Sequence, residues 1–518
     1  MSAIITDQFR ILSAKNFVTS VGSTENVYYS FIGLPNATEI GPTWNTSPPA
    51  PKDSFQDEDD TWDTIVSLKK ITSNDVRRVV KKIDWTSGST YDMYRQDINR
   101  DNLSLPSNAT HLYDANYYVM NSKFKVYICL QNGTDPENTS GRPSLDEPDF
   151  TDLEPRAAGT SGDGYVWKYL YTVNPADIVK FDSIDFIPVP SDWKTGTDNA
   201  AVRENAATSG QLKIVTVTNR GVGLGTANRT YTRVPIKGNG RGAEATIIIG
   251  NDSKVESINI SKGGSGYTYG IIDLVGGSVP TGSTTPIFDV IVPPQGGHGA
   301  DIYRELGAKN VLIYSRIEND LENPDFVVGN EIARVGIVEN PKAYNSSSNL
   351  NLDKASGVYA LRLTGSATTT FTPTADSFVT QTVGVASTAV GRVISYDNIT
   401  GVLKYWQDKS MAGFNTDGTQ NIDPDYGLQL NKFGSIGVGG STIVFNNEVS
   451  TGLLIDTGFS GITTVINNRT YNLGQSFVNG VAQPEVEKYS GNIIYVDNRP
   501  SITRSTNQKE DIKVILQF

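Results

Sequence analysis

Aromatic side chains fall at every second position of one short stretch, Gly162-Asp163-Gly164-Tyr165-Val166-Trp167-Lys168-Tyr169-Leu170-Tyr171. A period of two belongs to a β-strand, whose successive side chains point to opposite faces. Tyr165, Trp167, Tyr169 and Tyr171 therefore share one face, with Val166, Lys168, Leu170 and Thr172 on the other. Asp163-Gly164 ahead of them is a turn signal, because glycine accepts positive φ and aspartate can hydrogen-bond the backbone that follows. Four neighbouring rings hold too much apolar area to face water, so the strand must pack on a core or on a partner subunit.

A chain of 518 residues is too long for one core, and at about 150 residues per domain it makes about three or four units. Its 24 Tyr, 18 Phe and 6 Trp support folded structure, while 49 Gly and 24 Pro favour turn-rich β architecture over helix bundles. The expected fold class is mostly β or α+β, multi-domain. The net charge of −12, from 44 basic and 56 acidic residues, is spread along the chain. It speaks for solubility and against general nucleic-acid binding, which needs a basic surface. No apolar run approaches the about 20 residues of a membrane span, and the first residues lack the basic and apolar regions of a signal peptide, so assembly in a cytoplasm is expected. Cys129, the one cysteine, reads as a buried strand residue rather than a reactive thiol.

Along the chain, Phe9 to Phe17 reads as a helix or strand and Val27 to Gly33 as a β run. Residues 36 to 60 read as loop, with Asp57-Glu58-Asp59-Asp60 as a solvated helix start rather than a metal site. Trp62, Ile65, Val66 and Lys69 fit one short helix. Val76, Val79, Val80 and Ile83 fit a second, capped by Ser73 or Asn74, with Arg77, Arg78, Lys81 and Lys82 as a solvated basic face. Phe124 to Leu130 is a strand, residues 131 to 161 a long loop, Asn174 to Ile178 a turn or short helix and Phe186 to Pro190 extended. The segment 207–300 reads as a glycine-rich β-domain with an internal duplication of about forty residues. Residues 301–350 return to the pattern of 1–206, 351–480 form a second inserted β region, and 481–518 supply closing strands.

Nothing in the sequence points to an active site. With only His111 and His298, a histidine-rich metal site and an HExxH helix are excluded. His298, in Gly296-Gly297-His298-Gly299, reads as a loop residue. Gly221-Val222-Gly223-Leu224-Gly225 and Gly238-Asn239-Gly240-Arg241-Gly242 lead to β runs, not to a helix N-terminus, so they are turn glycines rather than a phosphate cradle. The sequons at Asn36, Asn108, Asn132 and Asn228 are read as accidents of composition. No catalytic, cofactor-binding or metal-ligating residue is assigned, and no cofactor.

Gly162-Asp163-Gly164-Tyr165-Val166-Trp167-Lys168-Tyr169-Leu170, followed far downstream by Gly491-Asn492-Ile493-Ile494-Tyr495-Val496-Asp497-Asn498-Arg499-Pro500, resembles the dimeric baseplate wedge protein family of T-even-type contractile-tailed phages. Phe17 to Ser23, Lys82 to Trp85 and Asp511 to Phe518 add to the similarity, which covers 1 to about 200, 305 to 345 and 485 to 518. This chain is longer than the family pattern near 207–300 and 350–480. The resemblance implies a non-enzymatic structural subunit of the virion's tail baseplate, a homodimer in contact with other wedge proteins, with fibre or peripheral baseplate proteins as further partners, and without nucleic acid or membrane. It implies a part in assembly and in the rearrangement on contraction. Tyr165, Trp167, Tyr169, Tyr171, Tyr495, Asn498 and Arg499 are the expected structural or interface residues. Two rivals stand beside it. One is a glycan- or receptor-binding role for the inserted β-domains through Tyr267, Tyr269, Tyr405 and Trp406. The other is a glycan-degrading enzyme, which would need two carboxylates about 5 to 10 Å apart in a cleft.

Overall fold

The structure is a computed structural model describing residues 4–36, 42–99, 105–318, 331–365, 368–383, 388–407, 433–434, 442–445, 452–505 and 508–518. Parts of the second inserted β region, 408–432, 435–441 and 446–451, lie outside the described residues. The architecture is mostly β, in several sheets.

The chain opens with helix α1 (Asp7–Val21) and strand β1 (Tyr28–Gly33), followed by α2 (Pro42–Thr46) and α3 (Phe55–Thr64). Ser54 caps α3 by accepting the Asp57 N–H, and the acidic run occupies its first turns, where carboxylates suit the helix dipole. The helix expected to hold Trp62, Ile65, Val66 and Lys69 together does not form. Helix α3 stops at Thr64, and Ile65 starts strand β2 (Ile65–Ile71). The second expected helix is also a strand, β3 (Val76–Lys81), entered through a single 3-10 turn at Ser73–Asp75. The helical spacing of its valines was coincidental. β-branched Val76, Val79 and Val80 suit a pleated surface, and Val79, Val80 and Lys81 pair with Pro188, Ile187 and Phe186. The basic residues do not form a solvated helix face either. Arg77 bonds Asp177 at 3.1 Å and Lys82 bonds Asp182 at 3.0 Å, both pairs largely shielded from solvent.

Strands β4 (Tyr118–Met120), β5 (Lys125–Asn132) and β6 (Tyr165–Thr172) follow, then α4 (Pro175–Phe181), β7 (Phe186–Pro188) and α5 (Ala200–Asn205). Helix α4 starts where Asn174 accepts the Ala176 N–H and Pro175 supplies a preset φ. Next come β8 (Ile214–Asn219), β9 (Arg229–Gly238), β10 (Arg241–Ile249), β11 (Val255–Ser265), β12 (Gly270–Ile272), β13 (Ile287–Ile291), α6 (Ile302–Glu305), β14 (Asn310–Glu318), β15 (Glu331–Glu339) and β16 (Lys354–Ser356). The remaining strands are β17 (Tyr359–Thr364), β18 (Phe378–Thr382), β19 (Thr388–Asp397), β20 (Val402–Trp406), β21 (Val444–Phe445), β22 (Leu454–Ile455), β23 (Gly461–Ile466), β24 (Arg469–Phe477), β25 (Val481–Ala482), β26 (Asn492–Thr503) and β27 (Lys509–Gln517).

The chain divides into two compact units, one of Met1–Val18, Arg77–Ile313 and Val514–Phe518, the other of Thr19–Val76 and Tyr314–Lys513. In the first, β4, β5 and β6 form an antiparallel sheet over an aromatic core. Residues 207–300 have a core of their own beneath the sheet β11-β10-β9-β12 and the pair β13-β8. Gln96 ties that region to the aromatic core by accepting the Val292 N–H at 3.0 Å and donating to the Val290 carbonyl at 3.4 Å.

The second unit holds the sheets β16-β2-β1-β15-β26 and β21-β18-β19-β20-β17-β22, the latter with β25 added on β17, and the pair β23-β24. Gly336, on β15, shows how closely the first sheet is packed. A Cβ there would lie 2.2 Å from the Phe31 ring and 2.5 Å from the Tyr495 carbonyl oxygen. Gly336→Ala should lower stability by about 1–3 kcal/mol, read as a lower urea midpoint for this unit; an unchanged midpoint would show that Phe31 moves freely.

On β14, Arg316 grips both carboxylate oxygens of Asp511, at 2.7 and 3.0 Å, and the Tyr314 hydroxyl donates to the same group at 2.8 Å. The Arg316 hydrogen bond pulls the Asp511 carboxyl down to about 2. A carboxylate held below its unfolded value stabilises the fold above that unfolded value, and the contribution is lost as pH falls toward the folded one. Asp511→Asn should therefore remove no more than about 1 kcal/mol at neutral pH, since the pair faces water. It should also flatten the acid limb of a stability-against-pH curve between about pH 4 and about 2.

Candidate functional site

The aromatic strand sits in the middle of its own core. Asp163 makes the turn as its residue type requires, accepting the Tyr165 N–H at 3.0 Å and the Leu145 N–H at 2.9 Å. Gly164 follows at φ +88°, and a Cβ there would meet the Gly133 Cα at 2.7 Å. Strand β6 pairs with β5, and on its other edge the Trp167 N–H and C=O are both bonded to Arg156. Tyr165, Trp167 and Tyr171 are buried and Tyr169 is half-buried against the same core. Trp167 stacks on Tyr165 with ring centroids 5.3 Å apart and meets Tyr91 edge-on at 5.9 Å.

Tyr165, Trp167 and Tyr171 are internal packing, and Tyr169 keeps part of its ring exposed. The opposite face is covered as well. Lys168 is buried, its ammonium donating to the Leu153 carbonyl at 2.7 Å and the Asn205 amide oxygen at 3.0 Å, and burial pushes its pKa down. Beside it His298 is buried rather than looped into solvent, with Nδ1 2.6 Å from Glu305, whose other oxygen accepts the Gly299 N–H at 2.7 Å. The space next to this cluster is about 20 Å³, room for a water and nothing larger. Cys129 is buried, and burial raises its thiol well above the ordinary range, which leaves it inert.

Tyr495, Asn498 and Arg499 lie on β26, which runs antiparallel to β15 and is the last strand of its sheet among the described residues. One stretch of its outer edge is covered. The Trp44 indole N–H donates to the Arg499 carbonyl at 3.0 Å, Asn45 accepts the Ser501 N–H at 3.2 Å, and the Asn498 amide donates to the Pro49 carbonyl at 3.0 Å. Beyond Pro49 the covering segment leaves the strand. A groove of about 290 Å³ opens there, lined by Pro51 to Ser54, Asp57, Glu58 and Thr61 on one side and by Ile493 to Val496, Asn498 and Arg334 on the other.

Arg334 is the floor of this groove and the residue that sequence reading missed. It is buried at 3% exposure. Nε donates to Asn498 Oδ1 at 2.9 Å, Nη1 to Thr64 Oγ1 at 2.7 Å and the Asp60 carbonyl at 3.2 Å, and Nη2 to Asn36 Oδ1 at 2.9 Å. One guanidinium thereby fastens β15 to β26 and to the C-terminal end of α3. A positive residue amid the apolar run Ile332-Ala333-Arg334-Val335 was the available signal, since a charge inside a two-sided strand must be satisfied within the fold. Tyr495 is half-buried, and burial followed by the charge of Asp497 raises its phenol. Arg499 is exposed and ion-paired with Asp497 at 2.6 Å.

Of the four rings considered for sugar stacking, Tyr267, Tyr405 and Trp406 are buried in the cores of their own units and only Tyr269 is exposed. The Tyr267 hydroxyl is used internally, donating to the Ile236 carbonyl at 2.9 Å. Among the described residues, no three His, Cys, Asp or Glu side chains are grouped to hold a metal ion.

The family described as Bacteriophage T4, Gp8 matches residues 3–154. The chain is also similar to the baseplate wedge protein gp8 of Enterobacteria phage T4, 28% identical over 214 residues, which cover 36% of this chain and 60% of that relative. The chain thus spans about 60% of the length of the curated relative it matches. The matched N-terminal region holds Trp44, α3 and the first strands of both units, and over it the chain is similar to the T4-type baseplate wedge family.

Proposed function

We propose that this chain is a non-enzymatic structural subunit of a phage tail baseplate wedge, resident in the virion's tail, that joins neighbouring wedge proteins and takes part in baseplate assembly and rearrangement on contraction. The match of residues 3–154 to the T4 wedge family carries this reading. The geometry supports it: Tyr165, Trp167 and Tyr171 are spent on a core, the one cysteine is buried, and the groove beside β26 is more polar than apolar. Such a subunit works by holding rigid bodies whose interfaces change between two arrangements. As part of the reading, the chain is a homodimer. Since Tyr165, Trp167 and Tyr171 are covered within their own unit, the dimer contact belongs to elements packed around that core and not to those rings.

The deciding experiment is an image of the assembled tail with this chain placed in it by density. The reading expects it in the wedges of the baseplate, and a tail lacking it there would overturn the reading. Light scattering on the purified chain checks the dimer: twice the chain mass at micromolar concentration is expected, and a monomer unchanged by wedge partners would remove the homodimer. The sugar-binding alternative retains Tyr269 alone of its four rings, and a single exposed ring without a platform does not support it.

A further inference from the structure

We propose that the outer edge of β26 from Ile493 to Asn498, with the groove beside it, takes an extended segment of another protein as an added strand, and that this segment presents a lysine or arginine to Asp53, Asp57 and Glu58. The inference rests on the reading of the chain as a subunit that binds other proteins, and names the surface and the partner's chemistry.

Three independent observations carry it. First, the outer edge of β26 has no strand beside it among the described residues, and its cover from Trp44 to Pro49 stops short of the 493–496 stretch. The end strand of an antiparallel sheet leaves the N–H and C=O of every second residue free for another strand. Native folds blunt long edges, and among the described residues this one is blunted where Trp44, Asn45 and Pro49 reach it. Second, apolar side chains are exposed in and next to the lining segments. Ile494, which lines the groove, is 39% exposed at an irregularity in the β15–β26 register, and Phe55, which follows the lining residue Ser54 on the first turn of α3, is 89% exposed. A phenylalanine held this far into water is unfavourable in the free chain and is favoured by a partner that covers it. Third, acidic side chains outnumber basic ones at the groove, three to two. Asp53, Asp57 and Glu58 line it, against Lys52 and an Arg334 whose donors are spent inside the fold.

The same charge argues for a different protein over a second copy. Two copies joined along this edge would bring two sets of Asp53, Asp57 and Glu58 together, and like charges across an interface repel. A segment with a basic side chain between small β-branched residues satisfies the edge, the exposed apolar side chains and the carboxylates at once, which is strand addition with one charged anchor.

The probe is a fluorescein-labelled peptide of eight residues, alternating Thr and Val with one central Lys, titrated into the full chain by anisotropy. A second peptide carries Glu in place of Lys. Saturable binding of the Lys peptide is expected, about tenfold tighter than the Glu peptide, weakened by added salt, with slowed amide exchange across residues 493–498. Phe55→Ala and Ile494→Lys should each weaken it about tenfold. Phe55→Ala alters a side chain outside any core, so its unfolding midpoint will match the parent and keep the test readable if Ile494→Lys disturbs the strand. Equal binding of the two peptides, no saturation up to about 1 mM, or exchange unchanged at 493–498 would overturn the proposal. So would a homodimer that Ile494→Lys splits, which would make a second copy the occupant. The subunit reading fails separately, through a tail image without this chain, while a chain present in the wedge with no strand along 493–498 removes strand addition alone.

Discussion

Trp167→Ala will cost the first unit about 3–5 kcal/mol, the range for deleting a fully buried aromatic side chain. The residue has 0% exposure, stacks on Tyr165, meets Tyr91 edge-on and stands between β5 and the backbone of Arg156. Little around it can collapse into the hole, because its neighbours are themselves rings fixed by hydrogen bonds. Tyr165 donates its hydroxyl proton to the Arg142 carbonyl at 2.7 Å and accepts the Tyr91 N–H at 2.9 Å. Against a total stability of about 5–15 kcal/mol, the loss is enough to unfold a substantial part of this unit at physiological temperature. Trp167→Phe will cost far less. The indole N–H is buried with no hydrogen-bond partner among the described residues, so removing it abandons no bond and relieves an unsatisfied donor. Urea unfolding followed by near-ultraviolet circular dichroism separates the two variants, and equal midpoints for Trp167→Ala and the parent would show that the core repacks.

Arg334→Ala will destabilise the second unit by about 3 kcal/mol or more, and its first visible effect will be on β26. The side chain satisfies Asn498, Thr64, the Asp60 carbonyl and Asn36 together. Deleting it leaves acceptors in a site where water replaces it poorly. Arg334→Lys will not rescue the loss, because a single ammonium cannot reproduce the planar fork that reaches three elements. Amide exchange should rise first across Asn492 to Arg499, since Asn498 loses its tie to β15, and the groove beside the strand should widen before the sheet fails. Exchange rising uniformly across the unit would instead assign Arg334 a general packing role.

Several elements were legible because their causes are local. The period-two aromatics of β6, the Asp163-Gly164 turn, the Asn174-Pro175 start of α4, the acidic opening of α3 and the buried Cys129 each follow from a few adjacent residues and a backbone preference. Residues 65–83 were misread for the opposite reason. Their valines and isoleucines recur at three and four, yet β2 is a strand because it lies between β1 and β16, and β3 because it meets β7 about a hundred residues away. Periodicity cannot register partners so distant. The candidate groove was half legible. Tyr495 and Asn498 stood out through a family resemblance, while Arg334 did not, since burial and hydrogen bonding are properties of position.

The sequence by itself determined that this chain is a turn-rich, mostly β protein with an aromatic strand at its heart, because alternation, glycine and β-branching act within a few residues. Only the tertiary structure decided that the aromatic strand is core rather than surface, and that the closing strand from Asn492 is a partly bare edge. Those outcomes depend on which segments come to lie beside them. Asn36, Thr64, Arg334 and Asn498 meet at one guanidinium across separations of 298, 270 and 164 residues from Arg334, a distance along the chain that no local rule spans.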